Sequence, residues 1–320
     1  MIRRGALVLA VLAISVLSLA SGDYPLSLGE VFGALTGTGD AQFIVTEFRL
    51  PRLLAGLLVG AALAAGGAIT QSLSGNPLGS PDMIGFTEGA ATGALLLIVL
   101  TDAGTAETSA GALAGGFLTA VAIYLLTYRR GVQGVRLVLV GLGVSAMLIA
   151  VNSYLITRAS LRDAAAAQSW LVGGLNGLGW EHVGPVAAAV AVLLPLGLVH
   201  GRRMALMEMG DDAATGLGVP VERTRLVLLT VSVGLTAFAT AIAGPIAFVA
   251  LAAPQLAKRV VGSLRVGASA LVGALLLVTC DFLTQRLFPA ASLPVGIATG
   301  LVGGLYLLWL LIGAWRRKRA

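Results

Sequence analysis

Apolar residues run along this chain in long stretches, broken only by Gly, Pro and scattered charges. Ten such stretches lie near 5–21, 53–73, 83–100, 109–128, 137–157, 183–200, 226–243, 245–260, 267–285 and 294–312. A helix needs about 20 predominantly apolar residues to cross a bilayer, so the pattern predicts ten membrane-spanning helices joined by short loops. The weakest division falls between the seventh and eighth stretches, where Gly244-Pro245 is the only break. The first stretch follows Arg3 and Arg4, ends at Ala20-Ser21-Gly22 and resembles a signal peptide. A retained first helix is the preferred reading, because an even number of spans then accounts for the charges. No linker or low-complexity segment interrupts the chain, which reads as one transmembrane domain over 1–320. The expected fold class is therefore all-α, a polytopic membrane protein of about ten transmembrane helices.

Composition sharpens this picture. Hydrophobic residues make up 57% of the chain and charged residues 11%, against about 25% charged in a soluble domain. The 43 glycines suit the close helix approach that small residues permit in lipid. Gly56/Gly60, Gly89/Gly93, Gly111/Gly115 and Gly300/Gly304 all have the G-x-x-x-G spacing. Cys280, the only cysteine, sits in an apolar run and reads as a small core residue, and no internal disulfide is possible. His182 and His200 are the only histidines and are far apart, which excludes a histidine-rich metal site and paired haem ligands. Any iron that this protein handles must arrive as a wrapped complex.

The isoelectric point near 10.1 would suit a nucleic-acid partner, but the placement of the basic residues points elsewhere. With both termini in the cytoplasm, 16 of the 21 basic residues fall inside. They include Arg129, Arg130 and Arg136, Arg202 and Arg203, Lys258, Arg259 and Arg265, and the tail Arg316–Arg319. Outside remain Arg49, Arg52, Arg158, Arg162 and Arg286. This positive-inside bias sets the orientation and explains the basicity without nucleic acid. The tail reads as a membrane-surface anchor. The external segments are 22–52, with a short amphipathic stretch, and 158–182, whose Trp170 and Trp180 read as interfacial aromatics.

Several chemistries are excluded. A phosphate-binding P-loop needs a Lys directly after Gly, yet Lys258 follows Ala257 and Lys318 follows Arg317. This polypeptide therefore hydrolyses no ATP, and no motif of a metalloprotease, serine hydrolase or carboxylate pair appears either. Glu88 and Asp281 are the acidic residues inside the predicted spans. Both lie near helix ends, where a capped or snorkelled carboxylate is a better account than a proton relay. Asp281 is also near helical spacing from Arg286. Polar Ser145, Asn152 and Ser153 on the fifth span are candidates for a translocation pathway, with ordinary interhelical hydrogen bonds as the plainer role.

The internal loop 201–225 is the most informative stretch. Asp211 and Asp212 open a short helix, since carboxylates favour helix N-termini, and Gly216 and Gly218 close it. Pro220 is placed to start a second short helix. Ala213, Ala214, Leu217 and Val219 are apolar although the loop lies outside the bilayer, which suggests an angular knob that docks a partner. On the outer side, Arg49 and Arg52 flank Pro51. They read either as snorkelling residues or as a dock for carboxylates.

These motifs carry a family resemblance. Arg49-Leu-Pro-Arg52, Gly60-Ala-Ala-Leu-Ala, Gly67-Ala with Gln71, and Asn76-Pro-Leu-Gly-Ser-Pro-Asp-Met-Ile-Gly85 come first. Gly210-Asp-Asp-Ala-Ala-Thr-Gly-Leu-Gly-Val219, Gly244-Pro-Ile-Ala-Phe-Val249 and Leu293-Pro-Val-Gly296 follow in order. From about residue 45 to 312 the chain resembles the FecCD-type permeases, the inner-membrane subunits of vitamin B12 and iron-siderophore ABC importers. Asn76 to Asp82, Leu175-Asn-Gly-Leu178 and the Met209-Gly-Asp-Asp run are most similar to subunits serving ferric enterobactin. Two residues depart from the family: Gln255 stands where His is common, and Gly75 where a charged residue is frequent.

The resemblance implies a BtuC-like permease fold of ten spans with an inverted internal repeat, which is not legible in the residues themselves. It implies a dimer around a central pathway, the second permease subunit being a different but related chain. It implies two ATPase subunits that carry ATP and Mg, while this chain binds no cofactor. Gly210, Asp211, Asp212, Ala213, Ala214, Leu217 and Gly218 would then form the coupling element seated in an ATPase cleft. Arg49, Arg52 and Arg286 would receive acidic residues of a siderophore-binding protein, periplasmic or lipid-anchored. The cargo would be a ferric siderophore, with vitamin B12 or haem as alternatives. An ion-coupled secondary transporter is the competing class, and the lack of central carboxylates argues against it.

Overall fold

The computed structural model describes residues 2–82, 84–101, 103–128, 134–262, 265–288 and 293–319, and Met83, Arg129 and Arg130 lie outside them. Among the described residues there are thirteen α-helices and no strand. In chain order they are α1 (Ile2–Ala20), α2 (Leu28–Leu35), α3 (Leu50–Ser74), α4 (Phe86–Leu100), α5 (Thr105–Thr127), α6 (Gly134–Arg158) and α7 (Leu161–Val172). Then follow α8 (Trp180–Met207), α9 (Asp211–Gly216), α10 (Val221–Ala243), α11 (Val249–Val261), α12 (Val266–Leu287) and α13 (Val295–Arg319). A π-helical turn, Ile44–Arg49, leads directly into α3.

Each of the ten predicted stretches becomes a helix, and the three additional ones are the short α2, α7 and α9. Six helices are long and apolar enough to cross a membrane: α3 with its lead-in, α5, α6, α8, α10 and α12. The chain is thus a multi-pass membrane protein. The apolar parts of α1, α4 and α13 are shorter. At 13 residues α11 is about 20 Å long, too short for a hydrocarbon core of about 30 Å. Local chemistry sets the ends. Ser27 and Glu30 form a reciprocal capping box that starts α2. Pro51 occupies the first turn of α3, and Gly75 ends that helix in the left-handed region at φ 62°.

Directions can be read from which residues meet. Thr70 of α3 bonds Ser232 of α10, and Gly66 lies against Thr236, so these two helices are antiparallel. Gly60 of α3 packs on Gly273 of α12, and Arg52 bonds Asp281, again antiparallel. Gly67 of α3 lies against Ala250 and Gln71, one turn on, bonds Gln255 of α11, so α11 runs parallel to α3. α3 is the central element, and its Val59, Ala65 and Ile69 are wholly buried with Val231 and Leu235 of α10. The first helix is integral to the packing: Leu7 sits with Ala257 and Ala268, and Leu19 with Val45, Leu53 and Val278.

Two of the four G-x-x-x-G pairs meet face to face. A β-carbon on Gly89 would lie 2.8 Å from the Gly115 carbonyl oxygen, and one on Gly111 2.7 Å from that of Gly93. The α4–α5 contact is therefore backbone on backbone, a spacing that only small residues allow. Gly60 serves the α3–α12 contact in the same way, whereas Gly300 and Gly304 on α13 face no described atom within 4 Å.

Both halves of the chain carry the same sequence of events. The central helix α3 is followed by a loop and the short α4, and α10 by the break 244–248 and the short α11. Gly85, just before α4, lies against Gly141 and Ser145 of α6, about 10 Å along that helix from its start. The loop after α3 thus climbs alongside α6 before α4 begins. Each half thus contains a long helix, a break and a shorter helix in that order.

Candidate functional site

At the outer end, the three predicted docking arginines converge but do different things. Arg52 Nε and Nη2 donate to the two carboxylate oxygens of Asp281 at 3.0 and 2.7 Å. The carboxylate side chain is 7% exposed and the arginine side chain 26%. This planar two-bond pairing joins α3 to α12. Asp281 therefore does not hold Arg286, which lies five residues on and so about 140° around the helix. Instead Asp281 also accepts from Gln285 at 2.7 Å. Arg49 turns inward as well. Its guanidinium donates to the carbonyls of Leu19, at 2.6 Å, and of Tyr24, closing the end of α1 as basic side chains do. The flanked proline therefore does not present two free arginine heads. Arg286 is exposed, and with Arg52, Asp23 and Asn176 it lines a cavity of about 230 Å³.

Next to it, three motif segments interlock. Gly173 (φ 69°) lies against the carbonyl of Pro245, and its own carbonyl accepts from Gly296 N–H at 3.2 Å. Gly174 N–H donates to Ala243 at 2.7 Å, and Gly296 abuts the Val172 carbonyl. The Gly244-Pro and Leu293-Pro-Val-Gly296 motifs thus meet in one backbone junction at Val172–Gly174, directly before Leu175-Asn-Gly-Leu178. Glycine is required at Gly173 both by its positive φ and by the approaching carbonyl. Trp180 Nε1 donates to Thr46 at 2.9 Å, while Trp170 is packed among Leu95, Leu155 and Ala167 and is not a plain interfacial residue.

At the opposite end stands the knob. It differs from the two-helix expectation, because only α9 is a separate short helix. Pro220 caps the long α10, and residues 201–207 complete α8. Arg225, whose side chain is 8% exposed, clamps α9 from behind. It donates to both carboxylate oxygens of Asp211 at 2.7 and 2.8 Å and to Glu222 at 2.9 Å. Ala214 is fully buried with Val219 and Val221 against Leu206 and Met207. Ala214 and Val219 therefore do not face outward, since α9 needs an apolar underside to sit on α8. Asp212, Ala213, Leu217, Gly218 and Gly210 stay exposed, as does Met209.

The pathway candidates on α6 separate. Asn152 is buried, accepts from Thr92 of α4 at 2.7 Å, and directs its amide to Glu88 at 3.4 Å. Glu88 is thus held within the bundle rather than snorkelled at an end. Ser145 is buried against Gly85, and Ser153 is exposed and bonds its own helix at Ile149. Asp82, in the loop before α4, accepts from the Thr87 hydroxyl at 2.8 Å. Gln255, left without a role by the sequence, donates to Gln71 at 2.6 Å, while Gln71 donates to the Leu251 carbonyl at 3.0 Å. Its position just after Pro254, one turn from Leu251, was the available signal. Among the described residues no group of three His, Cys, Asp or Glu side chains could hold a metal ion.

Comparison with known proteins gives a consistent result. The model of the FecCD transport family matches residues 9–313. The chain is 46% identical over 316 residues to the ferric enterobactin transport system permease protein FepG of Escherichia coli (strain K12), covering 98% of this chain and 96% of that one. It is 36% identical to the probable siderophore transport system permease protein YfhA of Bacillus subtilis (strain 168), covering 93% and 91%. A solved structure described as an inward-facing conformation of a metal-chelate type ABC transporter superposes with a TM-score of 0.88 at 28% identity, covering 98% of this chain and 99% of that one.

Proposed function

This chain belongs to the FecCD transport family, and we propose that it is the transmembrane permease subunit of an ABC importer carrying ferric siderophores across the inner membrane. It lies there with both termini in the cytoplasm. ATP and Mg act on two separate ATPase subunits, and this chain holds no cofactor. The observation that carries the reading is α9. Arg225 fixes it from behind while Asp212, Ala213 and Leu217 project outward, so a push on the knob is passed to α8 and α10 instead of being lost in a soft loop. The ordered register of antiparallel and parallel contacts supports alternating crossings. A second, related permease is the partner that covers α13 at Gly300 and Gly304.

The test is uptake. In a strain lacking this chain, entry of labelled ferric siderophore is expected to vanish while vitamin B12 and haem still enter. Supplying the chain as an Asp212→Arg/Leu217→Arg variant should restore the protein to the membrane without restoring uptake. Normal siderophore entry with either strain would overturn the reading.

On the outer side, we propose that Arg286 makes the direct contact with the binding protein, with Arg49 and Arg52 as the frame that holds its surroundings. Of the three only Arg286 is exposed, whereas Arg49 and Arg52 are engaged by internal carbonyls and by the Asp281 carboxylate. An exposed ion pair contributes little, so charge reversal is the informative change, because it sets like charges face to face. Arg286→Glu is expected to weaken binding-protein affinity about tenfold at low salt, with unchanged thermal stability. Titration of the detergent-solubilised importer with its binding protein measures this, and wild-type affinity would refute the contact.

A further inference from the structure

The end of the bundle that carries α9 holds a cavity of about 1410 Å³ between the end of α3 and helices α8, α11 and α12. Its charged lining is unbalanced. Arg202, Arg225, Lys258 and Arg265 line it, against Glu208 and Asp211. Asp211 is taken by Arg225, and Glu208 accepts from Ser72 at 2.8 Å. Arg202 and Lys258 are exposed at the rim; the Ser72 hydroxyl leaves the Glu208 charge in place, but one carboxylate does not offset the basic residues that remain once Arg225 and Asp211 have paired.

Deeper along α8 and α12 the walls turn apolar, with Leu198, Ala268 and Leu271. Leu198 and Arg202 stand one helical turn apart on the same face of α8. Leu198 is 48% exposed and touches α12 at Gly267. One wall of the cavity is therefore also a side of the membrane-spanning α8 whose Val192 and Val199 face outward. Basic groups above, apolar side chains below and an edge open to the bilayer match one kind of molecule. A small free anion would satisfy the rim but leave the apolar floor in water, which burial of an acyl chain avoids.

We propose that this cavity binds an anionic phospholipid, its phosphate held by Arg202 and Lys258 at the rim beside Arg265, and an acyl chain passing Leu198 into the bilayer. Basic pockets between transmembrane helices are a recognised setting for such headgroups. Because Asp211 and Arg225 belong to the same wall, the headgroup would rest against the base of α9, at the clamp that sets the knob's position.

Native mass spectrometry of the full chain, purified in detergent and offered phosphatidylglycerol, phosphatidylcholine or inorganic phosphate, tests this. The wild type should retain phosphatidylglycerol and not phosphatidylcholine, and millimolar inorganic phosphate should not displace the lipid. In Arg202→Gln/Lys258→Gln, retention should weaken about 30-fold, as expected for two basic contacts at a lipid surface. Arg203→Gln, on the neighbouring residue outside the cavity, should leave retention unchanged, and Arg202→Lys should preserve most of it. Monodispersity by size exclusion confirms that each variant is folded. Equal retention of phosphatidylcholine, full retention by the double variant, or displacement by inorganic phosphate (a small-anion site) would each overturn the proposal.

Discussion

Asp281→Ala is expected to cost about 3 kcal/mol of folding stability, because it leaves the Arg52 guanidinium without its partner in a largely dry site. The pair joins residues 229 apart in the chain, on the two helices that flank the outer end of the core. Its carboxylate is nearly inaccessible, so water cannot replace the lost bonds at Asp281, and only the quarter of Arg52 that is exposed can be rehydrated. Arg52→Ala should cost a similar amount by stranding the carboxylate. Replacing both together, as Arg52→Met/Asp281→Leu, should recover much of the loss, since apolar packing often substitutes for a buried pair without penalty. Thermal unfolding of the purified chain in one detergent measures all three. Wild-type stability in Asp281→Ala would show that the pair is idle. The same measurement separates framework from docking: Arg52→Glu places two carboxylates together and should collapse expression, whereas Arg286→Glu should leave it unchanged.

How much of this was legible in advance depends on the range over which each feature is encoded. The ten helices were readable because bilayer thickness imposes a length on apolar runs, and each run is local. The knob was visible as Asp211-Asp212 followed by Gly216 and Gly218, which are local helix signals. Its underside was not. That Ala214 turns inward and Leu217 outward depends on the angle at which α9 meets α8. Likewise Arg225 belongs by sequence to the start of α10, and only the fold brings it behind Asp211. The outer arginines show the limit most clearly. Arg-Leu-Pro-Arg suggested two outward-facing heads, yet Arg49 found the open end of α1 and Arg52 a carboxylate from α12. Charged groups near a bilayer bond the nearest unsatisfied polar group, and which group is nearest is a property of the tertiary structure. The motif glycines were legible as residues but not as contacts. Gly244 and Gly296 stand far apart in sequence and meet at the same junction around Gly173.

Gly67→Ala is expected to cost about 3 kcal/mol, at the upper end of the range for overpacking, and to abolish uptake. A β-carbon at Gly67 would run into the carbonyl oxygen of Ala250 and stand 2.6 Å from its carbonyl carbon and 2.9 Å from its α-carbon. All three atoms are backbone, so no side-chain rotation relieves the contact, and α11 as a whole must move. That helix has little freedom to do so. It starts at Val249 directly after Phe248, which holds φ at 68° and is the only non-glycine residue in the left-handed region among the described residues. The Phe248 ring rests on Gly303 of α13, and Gln71 and Gln255 tie the first two turns back to α3. Each of these constraints must yield to admit one methyl group. Gly143→Ala, on an exposed helical position with nothing within 4 Å, provides the comparison: there the same methyl meets no neighbour and should stabilise by about 0.5 kcal/mol through the lost freedom of the unfolded chain. Thermal unfolding of the two variants side by side reads the difference, and siderophore uptake reads its consequence, because displacing α11 also moves Lys258 at the face that carries α9. A Gly67→Ala chain as stable as Gly143→Ala would mean that α11 is free to shift, and that the backbone contact with α3 does not hold it in place.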